Sequence, residues 1–217
     1  MATPQERSAA ARARLLASAS ELFYAEGVHS VGIDRVIEHA GVAKATLYSA
    51  FGSKEELVRA YLRARHDATR ERMSRELQAR YPTARERLLG VFEVQGLSFA
   101  DPGFRGCAFV SARAEARPGG AVDEVTADYR AWLHELFADL AAAAGARDSK
   151  GLARQLVLLY DGAGISAWMD HDPGAEAAAR AVAAALIDAA IPAGTRSTGP
   201  DAAALPAGVP DLGLLAE

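Results

Sequence analysis

The sequence predicts an all-α protein in which a small amino-terminal helical domain joins a larger helical domain. Apolar residues recur at helical spacing through most of the 217 residues, and alanine, the best helix former, is abundant. No run of residues shows the period-two alternation of a half-buried strand. Half of the residues are apolar, so a chain of this length can bury a substantial core.

Three helices are predicted in the amino-terminal part. The first spans residues 5–26, and Gly27 follows it at the left-handed position where helices commonly end. An apolar stripe at i, i+3, i+4 and i+7 predicts a short second helix over residues 33–40. Gly41 interrupts this pattern, and a third short helix is predicted over residues 43–51.

A longer helix follows and opens at Ser53. Ser53 and Glu56 have capping-box spacing, in which the serine accepts the Glu56 amide and the glutamate reaches back. Tyr81-Pro82 is expected to end this helix. In the last helix, Asp172 is the predicted N-cap and Pro173 the first helical residue. The remaining helices are predicted over residues 84–99, 107–116, 121–144, 150–170 and 173–190.

Composition and charge divide the chain. Residues 1–75 contain 12 basic and 9 acidic side chains, a net charge of +3, although the whole chain has a net charge of −4. This asymmetry indicates separate roles for the two parts, with chance variation among solvated helix faces as the alternative. We expect a domain over residues 1–52, a second over residues 53–192, and a mobile tail rich in Gly and Pro over residues 193–217.

The sequence offers no support for catalysis, a cofactor or a metal site. It contains no phosphate-binding glycine loop, no G-x-S-x-G and no H-E-x-x-H motif. Its single cysteine, Cys107, excludes an intrachain disulfide and is typical of a reducing compartment. Residues 1–20 contain charges where a secretion signal is apolar, and no uncharged apolar run reaches the roughly 18 residues that span a bilayer. We therefore expect a cytoplasmic protein with no membrane contact.

Residues 34–51 have the length and pattern of a helix-turn-helix, two short helices joined by a glycine turn. Val36 and Ile37 would pack beneath the second helix, and Gly41 would turn the chain where a side chain clashes. The second helix can then enter the DNA major groove, which is about 12 Å wide. Helical proteins without DNA affinity also contain such corners, so the pattern alone leaves a purely structural role open.

A longer pattern over residues 10–60 is more specific. It comprises Leu15-Leu16, Ala19, Leu22-Phe23, Glu26-Gly27, Val36-Ile37, Ala40-Gly41-Val42, Ala43-Lys44-Ala45-Thr46-Leu47-Tyr48, Phe51 and Ser53-Lys54-Glu55-Glu56-Leu57. This ordered pattern resembles the amino-terminal domain of the TetR family of transcriptional regulators. The resemblance implies a homodimer with one helix-turn-helix per subunit, bound to a palindromic operator in double-stranded DNA. It also implies a carboxy-terminal domain in which a small-molecule effector lowers operator affinity.

The third helix and the start of the fourth hold the predicted DNA contacts. Tyr48 and Lys54 resemble the family's phosphate-contacting positions, and Lys54 also begins a helix, where free amides favour an anion. Two departures remove possible contacts: Val31-Gly32 stand where the family commonly has Thr or Ser, and Ala50 stands where it often has His. The predicted DNA-binding residues are Ala43, Lys44, Ala45, Thr46, Tyr48, Ser49 and Lys54.

The larger domain is expected to bind the effector and the second subunit. Aromatic side chains are typical of a ligand cavity between helices. The candidate effector-pocket residues are Cys107, Trp132 and Tyr160, with a role in the core alone as the alternative. Small residues on the last two helices permit close packing. The resemblance places the dimer interface there, with tight packing inside one chain as the alternative. The predicted interface residues are Ala163, Ser166, Ala167, Val182 and Leu186.

The resulting hypothesis is a dimeric, sequence-specific DNA-binding regulator, a repressor that a small molecule releases from its operator. Release would be a population shift in which the helix that begins at Ser53 tilts and moves apart the two helices, the predicted third helix of each subunit, that enter the DNA grooves. The alternative is a helical ligand- or protein-binding module whose helix-turn-helix has lost DNA affinity, as Val31, Gly32 and Ala50 favour.

Overall fold

The computed structural model describes residues 3–192, and within that range it contains nine α-helices and no strand. The all-α prediction is confirmed, whereas the predicted tail over residues 193–217 lies outside the described residues. Between residues 3 and 192 no helix is both long and apolar enough to cross a membrane. The helices are α1 (Pro4–Glu26), α2 (Ile33–Ala40), α3 (Lys44–Phe51), α4 (Lys54–Arg80), α5 (Ala84–Gly96), α6 (Ala108–Glu115), α7 (Ala121–Ala143), α8 (Ser149–Met169) and α9 (Ala175–Ala190).

Capping boxes open α1 and α5, whereas the sequence predicts one at α4. Thr3 opens α1, where its hydroxyl accepts the Glu6 amide at 3.2 Å and the Glu6 carboxylate accepts the Thr3 amide at 2.6 Å. At α4, Ser53 accepts the Glu56 amide at 3.1 Å, as predicted. The reciprocal bond is not formed, because the Glu56 carboxylate instead pairs with Arg59, one helical turn later, at 3.2 Å. Only half of the predicted box therefore exists.

The predicted start of the last helix is wrong by two residues. α9 begins at Ala175, since Asp172 Oδ1 accepts the Gly174 amide at 2.8 Å in a tight turn that keeps Pro173 outside the helix. The residue before this turn, His171, has a φ of 52°, in the left-handed region. The chain therefore changes direction between α8 and α9 before helical bonding begins.

Two glycines are needed in the amino-terminal part for different reasons. Gly41 has φ 61° and ψ 43°, and a Cβ built there meets nothing within 4 Å. Backbone conformation, and not the predicted clash, therefore requires glycine between α2 and α3. Gly27 has φ 90°, and its Cβ would lie 2.5 Å from Glu115 Oε1. Conformation therefore requires glycine at that position, and a Cβ there would also displace the Glu115 carboxylate.

Apolar side chains form two clusters. The body cluster contains side chains from the second half of α4, from α5, from the second half of α7, and from α8 and α9. The amino-terminal cluster joins α1–α3 to the first half of α4, to α6 and to the first half of α7, so it extends far beyond residue 52. It contains Leu15, Ala19, Leu22, Phe23, Val31, Val36, Ala40, Leu47, Phe51, Leu57, Val58, Tyr61, Leu62, Ala108, Phe109, Ala112, Val122, Val125 and Tyr129.

His66 of α4 lies among aromatic rings at the edge of the amino-terminal cluster. Its ring centroid is 5.4 Å from that of Trp132, 5.6 Å from that of Tyr129 and 6.5 Å from that of Phe109. Trp132 packs against both clusters. His66 is 9% exposed, and its Nε2 has no hydrogen-bond partner among the described residues. An unpartnered buried nitrogen of this kind costs stability.

We expect acid to destabilise the fold through His66. Burial, and after it the charge of Arg70, lowers the pKa of His66 below its ordinary value. The unfolded chain therefore binds the proton more tightly, and stability declines as the pH falls below the ordinary histidine pKa of about 6.5. His66→Phe should raise the melting temperature, and raise it more at pH 5.5 than at pH 8.

Thermal melting of the wild type and of His66→Phe at both pH values measures this difference. His29→Gln changes an exposed histidine and serves as the control, for which no pH-dependent gain is expected. An equal shift of the melting temperature of His66→Phe at both pH values would contradict the assignment to His66.

Candidate nucleic-acid interface

α2 and α3 form the predicted helix-turn-helix. Val36 and Ala40 of α2 are buried against Leu47 and Phe51 of α3 in the amino-terminal cluster. Val31, which stands before α2, is fully buried in the same cluster. The position that carries a hydroxyl in the family pattern thus contributes to packing in this chain. With one face of α3 held by these apolar contacts, the opposite face is presented to solvent.

We call α3 the recognition helix. Its solvent-facing side contains most of the predicted DNA-binding residues. Tyr48 is 46% exposed, which is unusual for a ring and leaves its face and hydroxyl available to a ligand. Thr46 and Lys54 are half-buried. The exposed members of the predicted set are Ala43, Lys44, Ala45, Tyr48 and Ser49. Small residues beside Tyr48 and Lys44 allow close approach to a groove.

Lys44 is already paired with a carboxylate of α2. Its Nζ donates to Asp34 Oδ1 at 2.8 Å, and this bond raises the pKa of Lys44 above its ordinary value. Both side chains are exposed, so the pair contributes little to stability. A phosphate that approaches Lys44 meets the Asp34 carboxylate as a competitor. No local sequence pattern indicates this role of Asp34.

Lys54 lies near both the α1–α2 turn and the end of α6. Its Nζ donates to the backbone carbonyl of His29 at 3.4 Å, in the turn between α1 and α2. Burial lowers the pKa of Lys54, and the nearby Glu115 of α6 opposes that shift. Glu115 Oε2 also accepts the His29 amide at 2.6 Å. The predicted phosphate-contacting lysine therefore lies beside a direct bond between α6 and the α1–α2 turn.

Other basic residues of the amino-terminal region are also neutralised locally. Arg35 forms an ion pair with Glu26, and Arg59 forms ion pairs with Glu56 and Glu124. Part of the positive charge beside α2, α3 and the start of α4 is therefore neutralised within the chain. Non-specific attraction to DNA should accordingly be modest, and affinity should depend on the geometry of a few contacts.

The predicted effector residues belong to neighbouring parts of the larger domain. Cys107 lies in a groove of about 350 Å³ between α6, α7 and α8, and burial raises the pKa of its thiol. Tyr160 is buried in the body cluster, whereas Trp132 lies beside His66. The groove is lined by Cys107, Phe109, Val110, Arg113, Ala114, Thr126, Tyr129, Arg130 and Asp161.

Sequence reasoning missed Phe109 and Tyr129 as groove residues. The spacing of Thr126, Tyr129 and Arg130 on one face of α7 was a usable signal, since positions i, i+3 and i+4 lie together on a helix. A second groove, of about 490 Å³, lies between the α5–α6 connection and the end of α8. Among residues 3–192 no group of three or more His, Cys, Asp or Glu side chains is arranged to hold a metal ion.

The predicted interface residues do not share one environment. Ala163 and Ala167 are only 5% and 6% exposed and pack inside the chain. Val182 is exposed, whereas Ser166 and Leu186 are half-buried. α8 also exposes apolar side chains that the prediction missed, and most of them share a face at helical spacing. These are Leu158, Ile165, Trp168 and Met169.

A solvent-facing short helix, joined by a glycine turn to a second short helix on a helical body, is the arrangement found in helix-turn-helix DNA-binding proteins. Residues 15–61 match the family model for bacterial regulatory proteins of the tetR family. The chain is 34% identical to SCO4454, a TetR-family transcriptional regulator from Streptomyces coelicolor, with a TM-score of 0.78 over 84% of this chain and 96% of that one. This chain therefore belongs to the TetR family of transcriptional regulators.

Two further relatives are similar over different lengths. A TetR-type transcriptional regulator from Streptomyces avermitilis is 32% identical, with a TM-score of 0.74 over 83% of this chain and 97% of that one. The HTH-type transcriptional activator FasR from Mycolicibacterium smegmatis is 45% identical over 56 residues. That match spans only about a quarter of FasR, 26% of its length.

We expect substitutions of Lys44 and Asp34 to have opposite effects on DNA affinity. Lys44→Ala should weaken binding to a duplex of random sequence and reduce the slope of log affinity against log salt, because a phosphate contact is lost. Asp34→Asn should strengthen binding and steepen the slope, because the competing carboxylate is gone. Fluorescence anisotropy between about 50 and 200 mM salt measures both slopes.

Lys150→Ala removes an exposed lysine at the start of α8 and is the matched control, with no expected change. If Lys44→Ala and Lys150→Ala behave alike, Lys44 makes no phosphate contact.

Proposed function

We propose that this regulator is a homodimeric repressor that binds a palindromic operator and is released by a small-molecule effector. In this proposal residues 1–52 form the DNA-binding domain, and the helix from residue 53, which carries the DNA-contacting Lys54, connects it to the second domain. Residues 53–192 form the domain that binds the effector and the second subunit, and the protein acts in the cytoplasm. The observation that supports it most is the position of α6. One side of this helix lines the groove that contains Cys107, and the other side is buried in the amino-terminal cluster.

Hydrogen bonds attach both ends of α6 to the amino-terminal helices. Before α6 begins, the Tyr24 hydroxyl accepts the Arg105 amide at 2.9 Å and donates to the Gly106 carbonyl at 3.0 Å. At the end of α6, Glu115 accepts the His29 amide at 2.6 Å. A displacement of α6 therefore reaches α1 at its last turn and at the α1–α2 turn. α4 is a second route, since Glu55 accepts the Ala121 amide of α7 at 3.0 Å.

The groove has the properties of a ligand site. Its volume of about 350 Å³ lies within the usual range for small-molecule pockets. Phe109 and Tyr129 stack face to face, with centroids 4.0 Å apart, and supply an apolar wall. Thr126 Oγ1 is buried without a partner among residues 3–192, and Arg130 and Asp161 form an ion pair of 2.7 Å at the rim. A ligand seated against Phe109 acts directly on α6.

Release then follows from a difference in affinity between two conformations. An effector that prefers a displaced α6 shifts the population away from the conformation whose recognition helices fit the operator. A differential binding free energy of about 3 kcal/mol weakens operator affinity about 150-fold. Tilting of α4 from Ser53 onward accompanies this shift, because α4 shares the amino-terminal cluster with α6.

The exposed apolar side chains of α8 and α9 support the proposed dimer. Ile165 and Met169 of α8, with Val182 of α9, form apolar surface that a second copy would bury. Ser166 and Leu186 contribute polar and apolar contacts at the same place, whereas the buried alanines Ala163 and Ala167 let α8 approach its neighbours inside the chain. A twofold axis there would place two recognition helices about one DNA turn apart.

Selection of bound sequences from a random duplex pool tests the proposal. We expect two inverted half-sites with centres about 10 base pairs, or a multiple of that, apart. Enrichment of a single half-site contradicts the dimer, and no enrichment at low salt contradicts sequence-specific recognition.

Val182→Arg tests the interface directly. Sedimentation at micromolar concentration should show a dimer for the wild type and a monomer for Val182→Arg, because the charge would be buried against a second copy. Leu97→Arg alters an equally exposed apolar residue at the end of α5 and should remain a dimer. A dimer that persists in Val182→Arg places the interface elsewhere.

The Tyr24 hydroxyl should couple the effector to DNA release. A compound that raises the melting temperature of the wild type, found by screening, should also release its DNA. Tyr24→Phe should bind the same compound and lose most of the release, since only the two bonds to Arg105 and Gly106 disappear. Tyr81→Phe removes a comparable hydroxyl bond, to Glu93, within the larger domain and should leave release intact. Full release from Tyr24→Phe contradicts this route.

A further inference from the structure

An arginine of α1 lies at the carboxy-terminal end of the recognition helix. The Arg12 guanidinium is positioned over the ring of Phe51, with its central carbon 4.7 Å from the ring centroid. Phe51 is the last residue of α3 and is buried, whereas Arg12 is exposed. A residue outside the helix-turn-helix therefore places a cation beside the end of α3.

Like Arg14 on the same helix, Arg12 has no acidic partner within residues 3–192, but of the two only Arg12 lies over an aromatic ring. Arg35, Lys44 and Arg59 each form an ion pair, but no carboxylate within residues 3–192 pairs with Arg12. The cation–π contact favours this position of the Arg12 side chain. Its N–H groups have no partner in the described part of the chain, so the donors that a bidentate contact to phosphate requires remain available.

The recognition helix has few polar side chains at its carboxy-terminal end. Ala50 precedes Phe51 and has no donor, so Ser49 is the only polar side chain in the last three residues of α3. Lys54 follows at the start of α4, but its Nζ is directed to the His29 carbonyl. Arg12 supplies a cation where the sequence of α3 supplies none.

We propose that Arg12 is a phosphate-contacting residue whose position is set by the ring of Phe51. It binds the DNA backbone beside the carboxy-terminal end of α3 and limits how that helix can rotate in the major groove. The contact reads no base, so it supports every sequence equally. The proposal rests on DNA binding by the helix-turn-helix and requires neither the dimer nor the effector.

Two glutamine substitutions on the same helix form the central comparison. Arg12→Gln removes the stacked cation, and Arg14→Gln removes an exposed arginine for which no ring contact is found in the described chain. Binding of the full chain to a fluorescent 20-base-pair duplex of random sequence is measured by anisotropy at several salt concentrations. Arg12→Gln should lower the salt slope by about 0.9 per subunit and weaken binding about fivefold to tenfold per subunit at 0.1 M salt.

Further measurements separate a phosphate contact from a base contact and from a loss of stability. Arg12→Lys keeps the charge and should retain the slope while losing part of the affinity, because an ammonium stacks and chelates less well. Arg12→Gln should weaken a selected operator and a random duplex by the same factor. An unchanged slope in Arg12→Gln, or an effect equal to that of Arg14→Gln, overturns the proposal.

A larger loss for the operator than for the random duplex also overturns it, because Arg12 would then read bases. Melting temperatures of the variants should stay within a few degrees of the wild type, since an exposed side chain is changed. Wild-type binding with no salt dependence would instead contradict DNA binding by the helix-turn-helix as a whole. That outcome is therefore distinct from a failure of the Arg12 proposal alone.

Discussion

Phe109 of α6 stacks on Tyr129 of α7, and both rings are buried in the apolar cluster that also contains Leu47 and Phe51 of the recognition helix. On the side that faces the cluster the packing is close, so a shift of the Phe109 ring in that direction displaces its neighbours. In the proposed mechanism, the orientation of α3 consequently depends on a residue from the middle of the chain. The helix-turn-helix would contact DNA, and the position of α6 would influence the orientation of α3.

Helical periodicity and turn residues were sufficient to predict α2, α3 and their connection, because that information lies in neighbouring residues. The bonds from Tyr24 to Gly106 and from His29 to Glu115 join residues 82 and 86 positions apart, and no local pattern specifies them. The Lys44–Asp34 pair was hidden for a related reason. Which acidic residue neutralises a cation depends on how two helices cross, and the crossing is a property of the packed structure.

The orientation of α8 and α9 about their own axes was also not predictable from the sequence. The abundance of small residues identified α8 and α9 as closely packed helices, but it did not determine which of their faces points inward. Ala163 and Ala167 face the interior of the chain, whereas Leu158 and Ile165 face solvent. Alanine fits either environment, so composition alone could not separate the inner face from the outer one. The branched side chains Leu158 and Ile165 were the more informative signal.

Gly27 ties together two parts of the molecule that the chain order keeps apart. Its backbone is left-handed, and the space beside it is filled by Glu115 Oε1. Any side chain at this position would strain the backbone and would also displace the Glu115 carboxylate, which accepts the His29 amide. The turn after α1 and the end of α6 are therefore expected to vary as a pair, and a graft of one amino-terminal domain onto another body should transfer both positions together.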